Sequence, residues 1–246
     1  MGIRPKPFAP NEWYHCYSRG IDKRTIFESP SDHERFMQLL YLTNTTSALH
    51  RSNIKEWQTE VIVDLPRTNT LVSLGAYCLM PNHFHLLIHE DNEGGISKFM
   101  QKLGTAYTMY FNLKYERSGG LLTRPFRARH ISNDEYFQHV VNYIHMNPIE
   151  LFEPEWTKGK TQHIHMVEKT LRNYRYSSLP DHLFHYEKTK PRALAHILSK
   201  NIFTIIREKN FKEVLADARE YHAQVTTEEE LRALKSRQRL ASKALP

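Results

Sequence analysis

Leu71-Val72-Ser73-Leu74-Gly75-Ala76-Tyr77-Cys78-Leu79-Met80-Pro81-Asn82-His83-Phe84-His85-Leu86-Leu87-Ile88-His89 is the stretch that decides the fold. Its first part is apolar apart from Ser73 and Gly75, as in a strand buried on both faces. Met80-Pro81-Asn82 is a turn signal. From His83 the pattern has period two. Phe84, Leu86 and Ile88 project to one side, and His83, His85, Leu87 and His89 to the other.

The flanking sequence supplies the partners of these strands. Upstream, Trp13 to Ser18 is aromatic and β-prone. Ser31-Asp32-His33-Glu34 reads as a capping box, and Phe36, Leu39 and Leu40 follow at helical spacing, so a helix is expected over about 32–42. Residues 44–70 are polar and irregular, with a short β-like run at Val61-Ile62-Val63, and read as an insertion or a hairpin. Downstream, Ile96, Phe99, Met100, Leu103, Tyr107, Tyr110 and Phe111 mark the inner side of a helix that Ser118-Gly119-Gly120 ends. Phe126 to Ile131 is expected as a strand. Ser132-Asn133-Asp134-Glu135 is a second capping box, opening a helix with Phe137, Val140, Val141 and Ile144 as its buried stripe; Pro148 closes it.

The order is β-α-β-β-α-β-α, the split βαβ arrangement plus one helix. The expected fold is α+β: a ferredoxin-like (RRM-like) antiparallel sheet with helices on one face, the other face open, plus a C-terminal helical extension. Residues 1–152 would form the first domain. Residues 153–225 would form the extension, and 226–246 a charged tail whose acidic start and basic end suit a helix dipole.

The 246 residues are 40% hydrophobic and 25% charged, which fits a folded chain. Cys16 and Cys78 are too few for a disulfide scaffold or a cysteine-based zinc finger. No apolar stretch approaches the roughly 20 residues that span a bilayer, and the start has no apolar signal region. No membrane partner and a cytoplasmic, nucleoid-associated protein are therefore expected. The net charge of +7 points to a polyanion. Between Gly95 and Ile131 stand Lys98, Lys102, Lys114, Arg117, Arg124, Arg127 and Arg129 against Glu116 alone. Aromatic residues interleave with them, a combination that suits stacked bases and phosphates as well as a solvated helix face.

Two local signals carry chemistry. On a strand, His83 and His85 would project from one face about 6.5–7 Å apart and could converge on one cation with oxygen ligands from elsewhere. Alone, the pair reads more simply as surface or hydrogen-bonded histidines. His163-Ile164-His165 has the same form but no strand pattern around it. The second signal is Tyr143-Ile144-His145-Met146-Asn147-Pro148. At i and i+4, Tyr143 and Asn147 share a helix face; they also read as a tyrosine at the core's edge and an asparagine ending a helix before proline.

Taken together, Leu79-Met80-Pro81-Asn82-His83-Phe84-His85 and Val141-Asn142-Tyr143-Ile144-His145-Met146-Asn147-Pro148 resemble the HUH single-tyrosine transposases, and among them the REP-associated tyrosine transposases. Tyr14-His15-Cys16-Tyr17-Ser18-Arg19-Gly20 is similar to that family's first strand and loop, with Ser18 where asparagine is usual. Gly120-Leu121-Leu122-Thr123-Arg124-Pro125-Phe126-Arg127 is similar to a further family segment, with Leu122 in place of an aromatic residue and Thr123 in place of glutamine. The resemblance spans about residues 10–180. It implies a DNA endonuclease and strand transferase. His83, His85 and Asn147 would bind a divalent metal, Mg²⁺ or Mn²⁺. Tyr143 would attack the phosphodiester and form a 5′-phosphotyrosine. The substrate would be single-stranded or hairpin DNA of REP type, held by Arg19, Lys98, Lys102, Lys114, Arg124, Arg127 and Arg129. The protein would act as a monomer or a homodimer.

Two other readings compete. One is a nucleic-acid-binding protein that has lost catalysis. The other is a hydrolase whose His-x-His metal activates water, which would need carboxylates near the site; Glu90, Asp91, Glu93, Asp134 and Glu135 are the nearest in sequence.

Overall fold

A computed structural model describes residues 7–47, 54, 56–67, 69–159, 164–187, 192–205 and 209–243. Four strands form one antiparallel sheet: β1 (Trp13–Arg19), β2 (Ser73–Met80), β3 (His83–His89) and β4 (Arg127–His130), in the order β2-β3-β1-β4. That is the expected ferredoxin-like order. The β2–β3 hairpin turns at Pro81-Asn82, pairing Met80 with His83 and Cys78 with His85. Gly75 sits at a register shift within β2. A Cβ there would come within 2.9 Å of Leu87, Ile202 and Trp13 side-chain atoms, so the apolar run needs glycine at this point.

Helices α1 (Pro30–Leu42) and α3 (Gly95–Lys114) cover one face of the sheet. Phe84 meets Phe36 at 4.8 Å between ring centroids, and Phe36 meets Tyr107 of α3 at 4.9 Å. The start of α1 is held by a capping box of Ser29 and Asp32, two residues earlier than the Ser31–Glu34 box expected, because Pro30 suits the first helical position. The buried Asp32 carboxylate accepts from the Glu28 and Ser29 amides and from Lys114 Nζ at 2.6 Å. Val61-Ile62-Val63 lies in a short helix, α2 (Thr59–Val63), and not in a strand. Ile62 and Val63 are buried there, so packing overrides the β preference of the run.

The second face is not left wholly open. Helix α4 (Asp134–Met146) lies across it, with Phe137 5.2 Å from the Trp13 ring. Asn133 caps this helix, its side chain accepting from the Tyr136 amide at 2.8 Å. Asn147 and Pro148 continue as a 3₁₀ turn.

The extension contributes α5 (Ile164–Arg172), α6 (Leu179–Glu187), α7 (Ile202–Ile205) and α8 (Phe211–Lys243). The segment before α6 guards the outer edge of β2: the Leu79 amide donates to the Tyr176 carbonyl at 3.0 Å, and the Ser178 amide to the Tyr77 carbonyl at 2.9 Å. This explains why an edge strand can be buried on both faces. Helix α8 packs on α4, where Asn142 Nδ2 donates to Asp217 at 2.7 Å. It runs on through Thr226 as one helix. His163 of the second His-x-His lies outside the described residues, and His165 sits on α5. Among the described residues no helix is long and apolar enough to cross a membrane.

Candidate active site

The pairing of β1 with its neighbours builds the site. Tyr17 stands opposite His85, Arg19 opposite His83, and His15 opposite Leu87. On the other side of β1, Arg129 stands opposite His15 and Arg127 opposite Tyr17. Paired residues share a face, so histidines, Tyr17 and the arginines gather on the face that α4 crosses. Sequence reading missed His15 and Tyr17. Their period-two spacing copies that of His83 and His85, but only the strand order shows that the two pairs are neighbours.

Helix α4 then brings Tyr143 over this face. Its ring lies 5.5 Å from His85, 5.8 Å from His15 and 6.1 Å from His222. Tyr221 of α8, also missed in the sequence, packs on it at 4.9 Å. Tyr143 lines a groove of about 1800 Å³, whereas Tyr221 is fully buried and does not line it. Burial and the neighbouring Tyr136 raise the Tyr221 pKa well above 10, against the pull of Arg129.

The His83 and His85 rings are 4.9 Å apart. Asn147, one turn beyond Tyr143, lies beside His83 and donates its Nδ2 to the Tyr143 carbonyl at 2.8 Å. Asn82 Oδ1 takes the Nδ1 side of His83 at 2.6 Å. With its Nδ1 side given to Asn82, His83 keeps a lone pair on Nε2, and the neighbouring Asn147 amide oxygen is also a lone-pair carrier. A cation satisfies that pairing, so these residues fit a divalent metal with mixed nitrogen and oxygen ligands. Among the described residues no three His, Cys, Asp or Glu side chains converge as a metal set, so the amide would have to supply the third protein ligand.

Electrostatics keep the imidazoles neutral. Burial, with Arg129 adding to it, lowers His15 to about 3. Burial and Arg19 lower His83 to about 4, opposed by Asn147. Burial, then His83 and His15, hold His85 well below 6.5. Neutral imidazole is the ligating form.

The basic residues divide. Arg19, Arg124 and Arg127 line the groove, together with Tyr17, Phe8 and Phe126. Arg129 lies over the Tyr221 ring at 5.5 Å. Lys98, Lys102 and Lys114 sit on α3, across the sheet from the groove. Lys102 donates to the Thr45 carbonyl at 2.5 Å, and Lys114 is tied to Asp32. The expected single basic track from Lys98 to Arg129 is thus broken by the sheet itself. The carboxylates that a hydrolase would need are also committed or distant. Glu90 is buried and accepts from the Gly94 and Ile96 amides at 2.7 and 2.6 Å, Asp91 pairs with His89, and Asp134 and Glu135 lie in the first turn of α4, more than two turns before Asn147.

With this geometry in place, comparison with known proteins gives one family. The model described as "Transposase IS200 like" matches residues 31–147. Over those residues the chain is similar to the IS200-like transposases. The matched segment carries His83, His85, Tyr143 and Asn147, and leaves out β1 and α8. The match makes this segment transposase-like. Among solved structures, a REP-associated tyrosine transposase bound to a REP hairpin is similar at 10% identity, over 85% of this chain and 99% of that one, with a TM-score of 0.43. No curated protein matches the sequence.

Proposed function

We propose that this protein is a metal-dependent endonuclease and strand transferase on single-stranded or hairpin DNA, akin to the REP-associated tyrosine transposases. The observation that carries the reading is the meeting of Tyr143, from α4, with the His83–His85 pair of β3 in a groove lined by Arg19, Arg124 and Arg127. All of these groups come from one chain, so the reading needs no exchange of helices between copies.

His83, His85 and Asn147 would hold Mg²⁺ or Mn²⁺. When bound, such an ion polarises the phosphoryl oxygen and stabilises charge that builds during in-line attack. Tyr143 supplies the nucleophile. Its oxygen bonds to phosphorus as its proton departs, the bond from phosphorus to the 3′ oxygen breaks, and that oxygen leaves as a hydroxyl. The 5′-phosphotyrosine keeps the phosphoryl group activated, so rejoining needs no nucleotide triphosphate. Asn147 holds the backbone carbonyl of Tyr143 while standing beside His83, which ties the nucleophile's turn to the ligand pair. The groove arginines place phosphates without reading bases, and Tyr17, Phe8 and Phe126 offer rings on which unpaired bases can stack.

The test is incubation with hairpin DNA and Mn²⁺ followed by a denaturing gel. A covalent protein–DNA adduct is expected, lost with Tyr143→Phe together with a drop in cleavage of about 10³-fold or more. Cleavage that survives this substitution would remove Tyr143 from the mechanism. Binding with no cleavage at all in the parent protein would leave the silent-binder reading in its place.

A further inference from the structure

Three buried polar groups stand in line between the C-terminal helix and a candidate metal ligand. The Tyr221 hydroxyl lies 2.6 Å from His15 Nδ1. His15 Nε2 lies 2.8 Å from His85 Nδ1. Tyr221 is fully buried, and His15 and His85 are 1% and 5% exposed, so water is all but excluded from the line. His15 and Tyr221 both lie outside the segment that matches the transposase family.

We propose that Tyr221 and His15 are positioning residues that hold His85 with its proton on Nδ1, leaving Nε2 bare for a divalent cation. The inference rests on the metal-dependent reading above and adds to it the groups that prepare one of the ligands.

The argument is one of proton order along a chain of neutral rings. His85 has spent its Nδ1 on His15, so Nε2 is the only ring nitrogen it can offer a metal. Ligation needs a lone pair there, which places the single proton of the neutral ring on Nδ1. That proton is donated to His15 Nε2. His15 can accept at Nε2 only if its own proton sits on Nδ1, and the Tyr221 oxygen is the group that Nδ1–H then meets. The opposite order runs from the Tyr221 hydroxyl into His15 and leaves the last proton on His85 Nε2, where it blocks a cation. Ligating histidines ordinarily give their second N–H to a fixed acceptor such as a carboxylate or carbonyl. Here the acceptor is another imidazole, which can donate or accept, so its polarity must be set from its far side. Phenylalanine at 221 would keep the packing on Tyr143 and Tyr136. It would remove the oxygen, and His15 would then favour the Nε2–H form and push His85 into the blocked tautomer.

The test has two parts. Long-range ¹H–¹⁵N spectra of metal-free, ¹⁵N-histidine-labelled protein read the tautomer of each ring. His85 is expected as Nδ1–H in the parent and shifted to Nε2–H in Tyr221→Phe. Mn²⁺ titration followed by electron paramagnetic resonance should show affinity falling about 10-fold or more in Tyr221→Phe and in His15→Leu. His15→Gln should recover to within about 3-fold of the parent, because an amide both accepts from His85 and donates to Tyr221. A structural role alone would give no such recovery. Unchanged tautomer and Mn²⁺ affinity in Tyr221→Phe overturns the inference, as does a parent protein with His85 as Nε2–H. If the parent binds no Mn²⁺ in a manner sensitive to His83→Ala, the metal-dependent reading falls, and the spectra still decide the proton order.

Discussion

Strand β3 presents two chemistries from consecutive residues. Toward α1 and α3 it offers Phe84, Leu86 and Ile88, each at most 1% exposed and packed among rings and aliphatic chains. Toward α4 it offers His83, His85 and Leu87, beside His15, Tyr17 and the groove arginines. The apolar face could be rebuilt from other hydrophobic residues of similar volume and still fold. The histidine face has no such freedom, because its buried nitrogens need specific partners. One face holds the sheet together; the other uses that rigidity to aim side chains.

The comparison can be broken most sharply at Phe84. Phe84→Ala should cost about 3–5 kcal/mol of stability, measured by urea unfolding, while Mn²⁺ affinity of the protein that stays folded changes little. A large loss of metal affinity without loss of stability would mean that the two faces are not separate in function.

The next effect is one of pH, and His145 of α4 reads it. Burial, with His182 beside it, holds the His145 pKa well below 6.5, and its Nε2 pairs with the Ser178 hydroxyl at 2.9 Å. Above pH 6.5 the ring is neutral whether the chain is folded or not. Below it the unfolded chain gains a proton that the folded one refuses, so stability falls with falling pH. The fall is up to about 1.4 kcal/mol per pH unit for each such ring. His145→Gln should flatten the slope of unfolding free energy between pH 6.5 and 5 by about that amount. An unchanged slope would show that His145 takes up its proton in the folded state.

The smallest expected effect separates arginine from lysine. Arg127→Ala should lower the salt slope of DNA affinity by about one unit, whereas Lys98→Ala, across the sheet, should leave it unaltered. Equal effects would mean that DNA wraps both sides of the sheet.

What could be read in the sequence follows the reach of each pattern. The β2–β3 hairpin and the α4 stripe are local periodicities, and they fall where expected. Tyr143 and Asn147 are one helical turn apart, so their shared face is local too. The failures are non-local. Val61-Ile62-Val63 reads as β from its residues and is helical because of what it packs beneath. Lys98 and Arg127 are neighbours in charge count but sit on opposite sides of a sheet whose order no window reveals. His15 and Tyr221 are 206 residues apart and meet only in the fold, by a hydrogen bond and a ring contact. The open face expected of the sheet is partly filled by α4, because a stripe of Phe137, Val140, Val141 and Ile144 needs an apolar surface and the strands supply one there.

The place of β1 has a practical consequence. It is the rung between β3 and β4, yet it precedes the first residue matched by the transposase family. A fragment trimmed to residues 31–147 would have a slot down the middle of its sheet, with the backbone donors and acceptors of β3 and β4 bared on either side. Such a piece would be prone to borrow a strand from another molecule, and dimers seen with it would report the missing rung, not the biology of the intact chain.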